Sequence, residues 1–141
     1  MTSKREQIMA QVQTTLAGTT GVGSRIYRSR PDPVRVEDIP CVIIDWLDDS
    51  ASYNTLPYIN RVLRFQISII QRSNTNPDTE VDNTWVSAYK KLMADRTLNG
   101  KVQDLTPLGT NKQLFEANQP TIQITETFQA TYRTLDNDPE N

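Results

Sequence analysis

The stretch Leu92-Met93-Ala94-Asp95-Arg96-Thr97-Leu98-Asn99-Gly100-Lys101-Val102 carries the strongest local signal in this chain of 141 residues. An amphipathic helix ends in it, Asn99-Gly100 forms a turn, and Lys101 begins a short strand that reaches Leu105. Such a stretch alone is an ordinary helix stop. Here it lies between two long segments of alternating polarity. We therefore expect it to set the helix that packs on a sheet built from those segments.

The helix before this turn has a clear beginning in the sequence. Asn76 is a good N-cap residue, and Pro77 suits the first helical position. Acidic side chains follow in the first turns and basic ones near the end, and both complement the helix dipole. The apolar stripe consists of Val81, Trp85, Ala88, Tyr89 and Leu92.

The two alternating segments, Tyr58–Gln71 and Thr121–Thr134, predict the long strands of the sheet. The apolar face of the first holds Ile59, Leu63, Phe65, Ile67 and Ile69. The apolar face of the second holds Ile122, Ile124, Phe128, Ala130 and Tyr132. The other face of the second strand carries Thr and Gln side chains. That polar face is either plain solvated sheet or a flat surface that adds to another subunit.

Shorter signals complete the predicted order of elements. They are a first helix over Lys4–Ala17, a short strand over Arg25–Arg28, a buried strand over Pro40–Leu47, a turn-rich loop over Asp48–Pro57, and an irregular segment over Thr110–Gln119 with room for one helical turn. Together they predict one α+β domain over residues 1–134, in the order α-β-β-β-α-β-β. Both helices should pack on one face of a mostly antiparallel sheet. Residues 135–141 are predicted to form a disordered acidic tail.

The length of the predicted strands raises a question about shape. A compact chain of this size is roughly 37 Å across. Fourteen residues of strand span roughly 46 Å, so such strands should overhang the body, bend sharply or contain bulges. An overhanging hairpin would be an arm that grips a neighbour, with the loop Asp48–Pro57 as its tip. A bulged strand that stays against the body is the alternative.

Composition argues against most catalytic and nucleic-acid-binding functions. The chain has no histidine, the side chain best suited to proton transfer near neutral pH and the commonest metal ligand. It has 15 basic and 17 acidic residues, and three of the acids lie in the last six positions. The body is therefore close to neutral, and its attraction for nucleic-acid phosphates should be weak. We expect no catalytic residue, no metal site and no cofactor.

Nothing in the sequence indicates export or a membrane. The single cysteine, Cys41, excludes an internal disulfide and fits a reducing compartment. The polar start of the chain lacks the apolar core of a signal peptide, and no apolar run approaches the length that spans a bilayer. We expect the chain to be cytosolic where it is made. We also expect Cys41, Trp46 and Trp85 to be core residues.

Charged and aromatic residues near the predicted loops are the candidate contacts with partners. Arginines concentrate between Arg25 and Arg35, where Pro31 and Pro33 predict a loop. They could pair with a partner's carboxylates, or form a solvated loop. Asp48 and Asp49 are expected as a solvated carboxylate pair in the next loop. The candidate interface residues are Arg28, Arg30, Arg35, Asp48, Asp49, Tyr53, Tyr58 and Arg64.

Four stretches in this order and spacing resemble the tail terminator (tail completion) proteins of tailed bacteriophages. They are Ser24–Tyr27, Val62–Ile70, Leu92–Val102 and Phe128–Thr134. Members of that family often have Gly-Gly where this chain has Asn99-Gly100; Asn also tolerates a positive φ. The resemblance covers most of the chain from the first helix to Thr134.

The resemblance implies a structural virion protein without enzymatic activity. Such a protein forms a homo-oligomeric ring, usually a hexamer, on the head-proximal end of the tail tube. It ends tube polymerisation, contacts the tail tube protein and the neck or head connector, and contacts a sheath if the tail is contractile. DNA passes through its lumen. Another head–tail joining subunit and a cytosolic small-ligand or regulatory domain are the alternatives.

Overall fold

The computed structural model describes residues 2–28, 40–53, 55–72, 76–115 and 121–141. Helix α1 spans Lys4–Leu16 and helix α2 spans Pro77–Ala94. Ser3 caps α1, because its hydroxyl accepts a hydrogen bond from the Glu6 amide at 3.2 Å. Asn76 and Pro77 occupy the N-cap and first positions of α2, as the sequence predicts.

Five strands form one sheet in the order β1-β2-β3-β5-β4. Their bounds are Ile26–Arg28 for β1, Cys41–Tyr53 for β2, Tyr58–Arg72 for β3, Asp104–Phe115 for β4 and Thr121–Leu135 for β5. Among the described strands only β1 and β2 pair in parallel, and the other three pairs are antiparallel. The predicted α+β architecture and its element order are confirmed.

Both helices cover the same face of the sheet and enclose the core. α1 contacts β1 and β2, α2 contacts β3 and β5, and the two helices contact each other. Phe65 and Phe128 lie opposite each other on β3 and β5, with ring centroids 5.6 Å apart. Tyr89 of α2 packs on Phe128 at 6.1 Å. The predicted apolar stripes therefore meet in one core.

The turn after α2 is longer than the sequence predicts. Leu98, Asn99 and Gly100 all have positive φ angles, of 48°, 59° and 80°. The Leu98 side chain is fully buried and anchors the turn to the core. The Lys101 and Val102 amides donate to the Leu98 and Thr97 carbonyls within this turn, and β4 begins at Asp104. The predicted strand is present, but its predicted start at Lys101 is wrong.

Strand β4 also continues past its predicted end. The described part of the segment predicted to be irregular, 110–115, belongs to this strand; residues 116–119 of that segment lie outside the described residues. The pairing register shifts between Pro107 and Gly109, so these residues make a bulge where an end was expected. β4 is an edge strand, and an edge tolerates a proline that cannot donate to a neighbour.

Strand β2 runs beyond the predicted end at Leu47 and reaches Tyr53. Its polar second half pairs with β3 residue by residue, up to Tyr53 opposite Ile59. A register shift between Trp46 and Asp48 marks a bulge. The loop predicted over Asp48–Pro57 is therefore wrong in its first half, because backbone pairing with β3 does not require apolar side chains.

Two of the three predicted core residues outside the long strands lie where expected. Cys41 is buried, and Trp85 packs against the core. Trp46 is 41% exposed, so its prediction as a core residue is wrong. The guanidinium of Arg5 lies over its indole ring at 4.4 Å, which covers one face of the ring in place of the core.

The residues after β5 form turns that contact the start of the chain. The Lys4 amide donates to the Pro139 carbonyl at 2.8 Å, and the Asp136 amide donates to the Pro57 carbonyl at 2.7 Å. The division of the chain at residue 134 remains a prediction. None of the helices in the described ranges is long and apolar enough to cross a membrane.

Candidate subunit interface

The far end of the β2–β3 hairpin exposes large apolar side chains. We call residues 50–53 and 55–60 the hairpin tip. Tyr53 is 68% exposed, Leu56 is 71% exposed and Tyr58 is 42% exposed. The Arg133 guanidinium lies 5.5 Å from the Tyr58 ring. Side chains of this size seldom stay exposed together unless they serve a contact.

Tyr53 lies on the helix side of the sheet and is exposed because the helices are too short to cover the sheet along its strands, whereas Tyr58 points to the opposite face. The 18 residues of α2 rise about 27 Å and the 13 residues of α1 about 20 Å. The 15 residues of β3 extend about 50 Å. α1 therefore shields the first half of β2, α2 shields parts of β3 and β5, and on this side the hairpin tip has no covering layer. β2 contains a bulge, and the β2–β3 hairpin also projects beyond the helices.

Asp48 and Asp49 follow the bulge in β2 and, as successive residues of a strand, point to opposite faces of the sheet. Asp48 lies opposite Arg64 on the uncovered face, and Asp49 lies opposite Leu63 on the helix side. Arg64 Nε donates to Asp48 Oδ1 at 2.9 Å. This hydrogen bond lowers the pKa of Asp48. Both predicted interface residues, Asp48 and Arg64, are thus paired with each other within the chain.

Asp49 is not the solvated carboxylate that the sequence predicts. Its side chain is 4% exposed, and the Tyr132 hydroxyl donates to its Oδ2. Arg5 also donates to Oδ2 at 3.4 Å. Burial, followed by the hydrogen bond to Asp49, raises the pKa of Tyr132. Asp49 therefore contributes to a contact between α1, β2 and β5.

The described arginines near β1 also bind within the chain. Arg28 donates two hydrogen bonds to the Glu6 carboxylate, at 2.5 and 2.8 Å, and these lower the pKa of Glu6. Arg25 donates to the Pro40 carbonyl at 2.7 Å. Arg30 and Arg35 lie outside the described residues. The role of Arg28, Arg30 and Arg35 in an interface remains a prediction.

The structure brings only some of the predicted interface residues together. Tyr53 and Tyr58 share the hairpin tip, whereas Arg28 pairs with Ile44, nine residues before Tyr53 and so about 30 Å away along the strand. Leu56 belongs to the tip and was missed. Its signal was available, since it is a large apolar residue beside Pro57 in a turn-rich segment.

Over β3 and β5 the face opposite the helices is largely polar, and several of its side chains bond to one another. Ser68 and Thr125 share a hydrogen bond at 3.1 Å across β3 and β5. A shallow cavity of about 300 Å³ lies on this face next to the β4 bulge, lined by Arg64 and Thr127 among others. Within the described ranges, no three His, Cys, Asp or Glu side chains come close enough to hold a metal ion. This face can present hydrogen-bonding groups to a partner.

A mostly antiparallel five-stranded sheet with both helices on one face thus defines the class of fold. Neither a protein-family model nor a curated protein matches this chain. Among solved structures, a chain from "Virion of native gene transfer agent (GTA) particle" has a similar fold, with a TM-score of 0.51 and 13% sequence identity. The match covers 89% of this chain and 94% of the other. This likeness shows a shared fold along nearly the whole of both chains.

Proposed function

We propose that this protein is a structural virion component that acts as a phage tail terminator. In this proposal, copies of the chain form a ring, hexameric by resemblance, on the head-proximal end of the tail tube. The ring ends tube polymerisation and offers a surface to the neck or head connector. Its partners are the tail tube protein and the connector protein.

The observation that carries the proposal is the projecting hairpin tip. Tyr53, Leu56 and Tyr58 place exposed apolar surface beyond the two helices. A ring needs heterologous contacts, in which one part of each subunit docks on a different part of the next. A rigid, paired hairpin suits that role, because little conformational entropy is lost when it docks.

Two further observations support a structural role in a virion. The chain shares its fold with a component of a gene transfer agent virion. The uncovered sheet face is polar, and its Asp48–Arg64 pair is charge-neutral. If this face lines the lumen of the ring, DNA would meet hydrogen-bonding side chains without strong electrostatic attraction.

The alternatives make different predictions about location and ligands. A neck or head-closure subunit would also use an exposed tip, but it would be found on the connector and away from the tube end. A small-ligand domain would bind its ligand in a cavity. Two cavities in the described region, of about 240 and 300 Å³, lie at or below the small end of the range for ligand sites.

The direct test is assembly with the tail tube protein of the same particle. Purified protein is added to polymerising tube protein, and tube lengths and ends are measured by electron microscopy. We expect capped tubes of limited length. A variant with Tyr53→Ser, Leu56→Ser and Tyr58→Ser should remain folded but fail to cap. The matched control, Asn83→Ser with Lys90→Ser on the exposed side of α2, should cap normally.

Several outcomes would contradict the proposal. Tubes that grow without limit in the presence of the folded wild-type protein would count against it. Binding only to the connector protein would favour the neck-subunit alternative. Specific stabilisation by a small ligand, without affinity for the tube protein, would favour the ligand-binding alternative.

A further inference from the structure

A cavity of about 240 Å³ lies where the first turn of α1 meets the ends of β2, β3 and β5. It is distinct from the exposed surface of the hairpin tip, and it lies on the helix side of the sheet. Its polar lining includes Ser3, Arg5, Asp49, Arg61, Tyr132 and Thr134. The sequence signal for this site is Arg61, a charged residue on the otherwise apolar face of β3 that includes Ile59 and Leu63.

Arg61 is held in place but has no counter-charge of its own. Its Nε donates to the hydroxyl of Thr134 at 2.9 Å, and Thr134 is fully buried. Its terminal amino groups donate to no described residue, and no carboxylate in the described ranges forms an ion pair with it. A positioned guanidinium with both terminal groups open can take a carboxylate through two parallel hydrogen bonds.

Asp49, in the same lining, has one buried carboxylate oxygen without a donor. Its Oδ2 accepts from Tyr132 and Arg5, but its Oδ1 is buried and has no hydrogen-bond partner. A buried carboxylate oxygen without a donor is costly. An occupant that brings an N–H group would remove that cost.

The charges of the lining favour an anion as the occupant. Arg5 and Arg61 are positive and Asp49 is negative, which leaves one excess positive charge. The N-terminus of α1, next to Ser3, adds the positive end of a helix dipole. The cavity therefore combines a site for one negative charge with an acceptor for one N–H.

We propose that this cavity binds a carboxylate carried by a polypeptide, an acidic side chain or a chain end of another protein, with a peptide N–H beside it. The carboxylate pairs with Arg61 and the N–H donates to Asp49. A peptide meets both requirements at once, whereas acetate supplies only the charge. This binding chemistry does not depend on ring formation, so it can fail or succeed separately from the proposed function.

The test uses the full-length ¹⁵N-labelled protein and three small probes followed by NMR. N-acetylglycine carries a carboxylate beside an amide N–H, N-acetylglycinamide lacks the charge, and acetate lacks the N–H. We expect N-acetylglycine to shift the Asp49 and Thr134 amides saturably, with a Kd on the order of 1 mM or weaker. Acetate should bind about tenfold more weakly, and N-acetylglycinamide should cause no saturable shift.

Variants identify the group responsible. Arg61→Gln should weaken N-acetylglycine binding at least about tenfold, because it removes the charged partner. Arg96→Gln is the matched control, since Arg96 is an exposed arginine paired with Asp104 elsewhere, and its binding should be unchanged. If Arg61→Gln does not fold, Arg61→Lys keeps the charge, loses the two-pronged geometry and should still bind more weakly than wild type.

Absence of a saturable shift with N-acetylglycine would overturn the proposal. Equal binding of N-acetylglycine and acetate would overturn the role of the N–H. Binding that Arg61 substitutions leave unchanged would overturn the site itself.

Discussion

The two halves of β2 differ in burial. In the first half, Val42 and Ile44 are completely buried beneath the helices. In the second half, the residues from Ser50 to Tyr53 are all exposed, although the strand pairs with β3 throughout. The bulge between Trp46 and Asp48 separates the two halves.

This difference shows that backbone pairing and side-chain burial hold different parts of β2 in place. The first half is held by packing against α1, and packing is the dominant stabilising term. The second half is held by its backbone ladder to β3, which is itself paired with β5 along its whole length. A region ordered in this way can be rigid and still offer its side chains to a partner.

The largest effect on stability should follow from removing a large side chain from the core beneath the helices. Phe128→Ala removes a fully buried ring that stacks on Phe65 and contacts Tyr89. We expect a loss of about 3–5 kcal/mol in the free energy of unfolding, measured by urea denaturation. A loss below about 1 kcal/mol would mean that the core is less tightly packed than the structure indicates.

A smaller loss of stability should follow from a change in the turn after α2. Gly100 has a φ of +80°, and a Cβ there would meet no atom within 4 Å. Gly100→Ala therefore tests backbone strain alone, and we expect a loss of about 1–2 kcal/mol by urea denaturation. Gly23, with φ of +58° and equally open surroundings, offers a second site of the same kind. No loss at either site would contradict the left-handed conformation of these turns.

A third prediction concerns a polar residue within the covered face. Glu126 is 3% exposed and lies opposite Ile67, and burial raises its pKa above the usual 4.5. The pKa of Glu126 is higher in the folded state than in the unfolded state. Its contribution to stability is therefore fully present below the unfolded-state pKa and is lost as the pH rises through the folded-state pKa. Glu126→Gln should therefore raise the Tm at pH 7 by about 2–4 °C, with little gain near pH 4.

The control for this prediction is the pH dependence itself. The pKa values of Glu6, Asp48 and Asp138 are lowered, and these groups titrate in both proteins, so they cancel in the difference. An equal gain at both pH values would show that packing, and not the charge, separates the variant from wild type. The Thr110 hydroxyl that donates to Glu126 can donate to the Gln oxygen as well.

The smallest effect on stability should follow from changes at the hairpin tip. Tyr53→Ser with Leu56→Ser removes two side chains that contact mostly solvent. We expect less than about 0.5 kcal/mol by urea denaturation, together with loss of tube capping. A large loss of stability would mean that the tip supports the fold, and the contrast between the two halves of β2 would then disappear.

Much of the core beneath the helices could be predicted from the sequence, but little of the candidate interface could. Periodicity identified the faces of α2, β3 and β5, because spacing along the chain alone places those side chains on one side. The ends of β2 and β4 were missed, because polar residues continue a strand when a neighbour supplies the ladder. Arg61 and Glu126 interrupted the predicted apolar faces of β3 and β5. In the structure Arg61 lines a cavity, and Glu126 is buried.

The sequence by itself determined the order of elements and the side chains that form the core, because hydrophobic spacing and helix-capping residues act within a few positions. Only the tertiary structure decided which charges pair and which surface stays uncovered. Tyr132 donates to Asp49 from 83 residues away, and Arg64 to Asp48 from 16. Such contacts depend on strand register and on the bulge in β2, and a one-residue change of register sends a side chain to the opposite face.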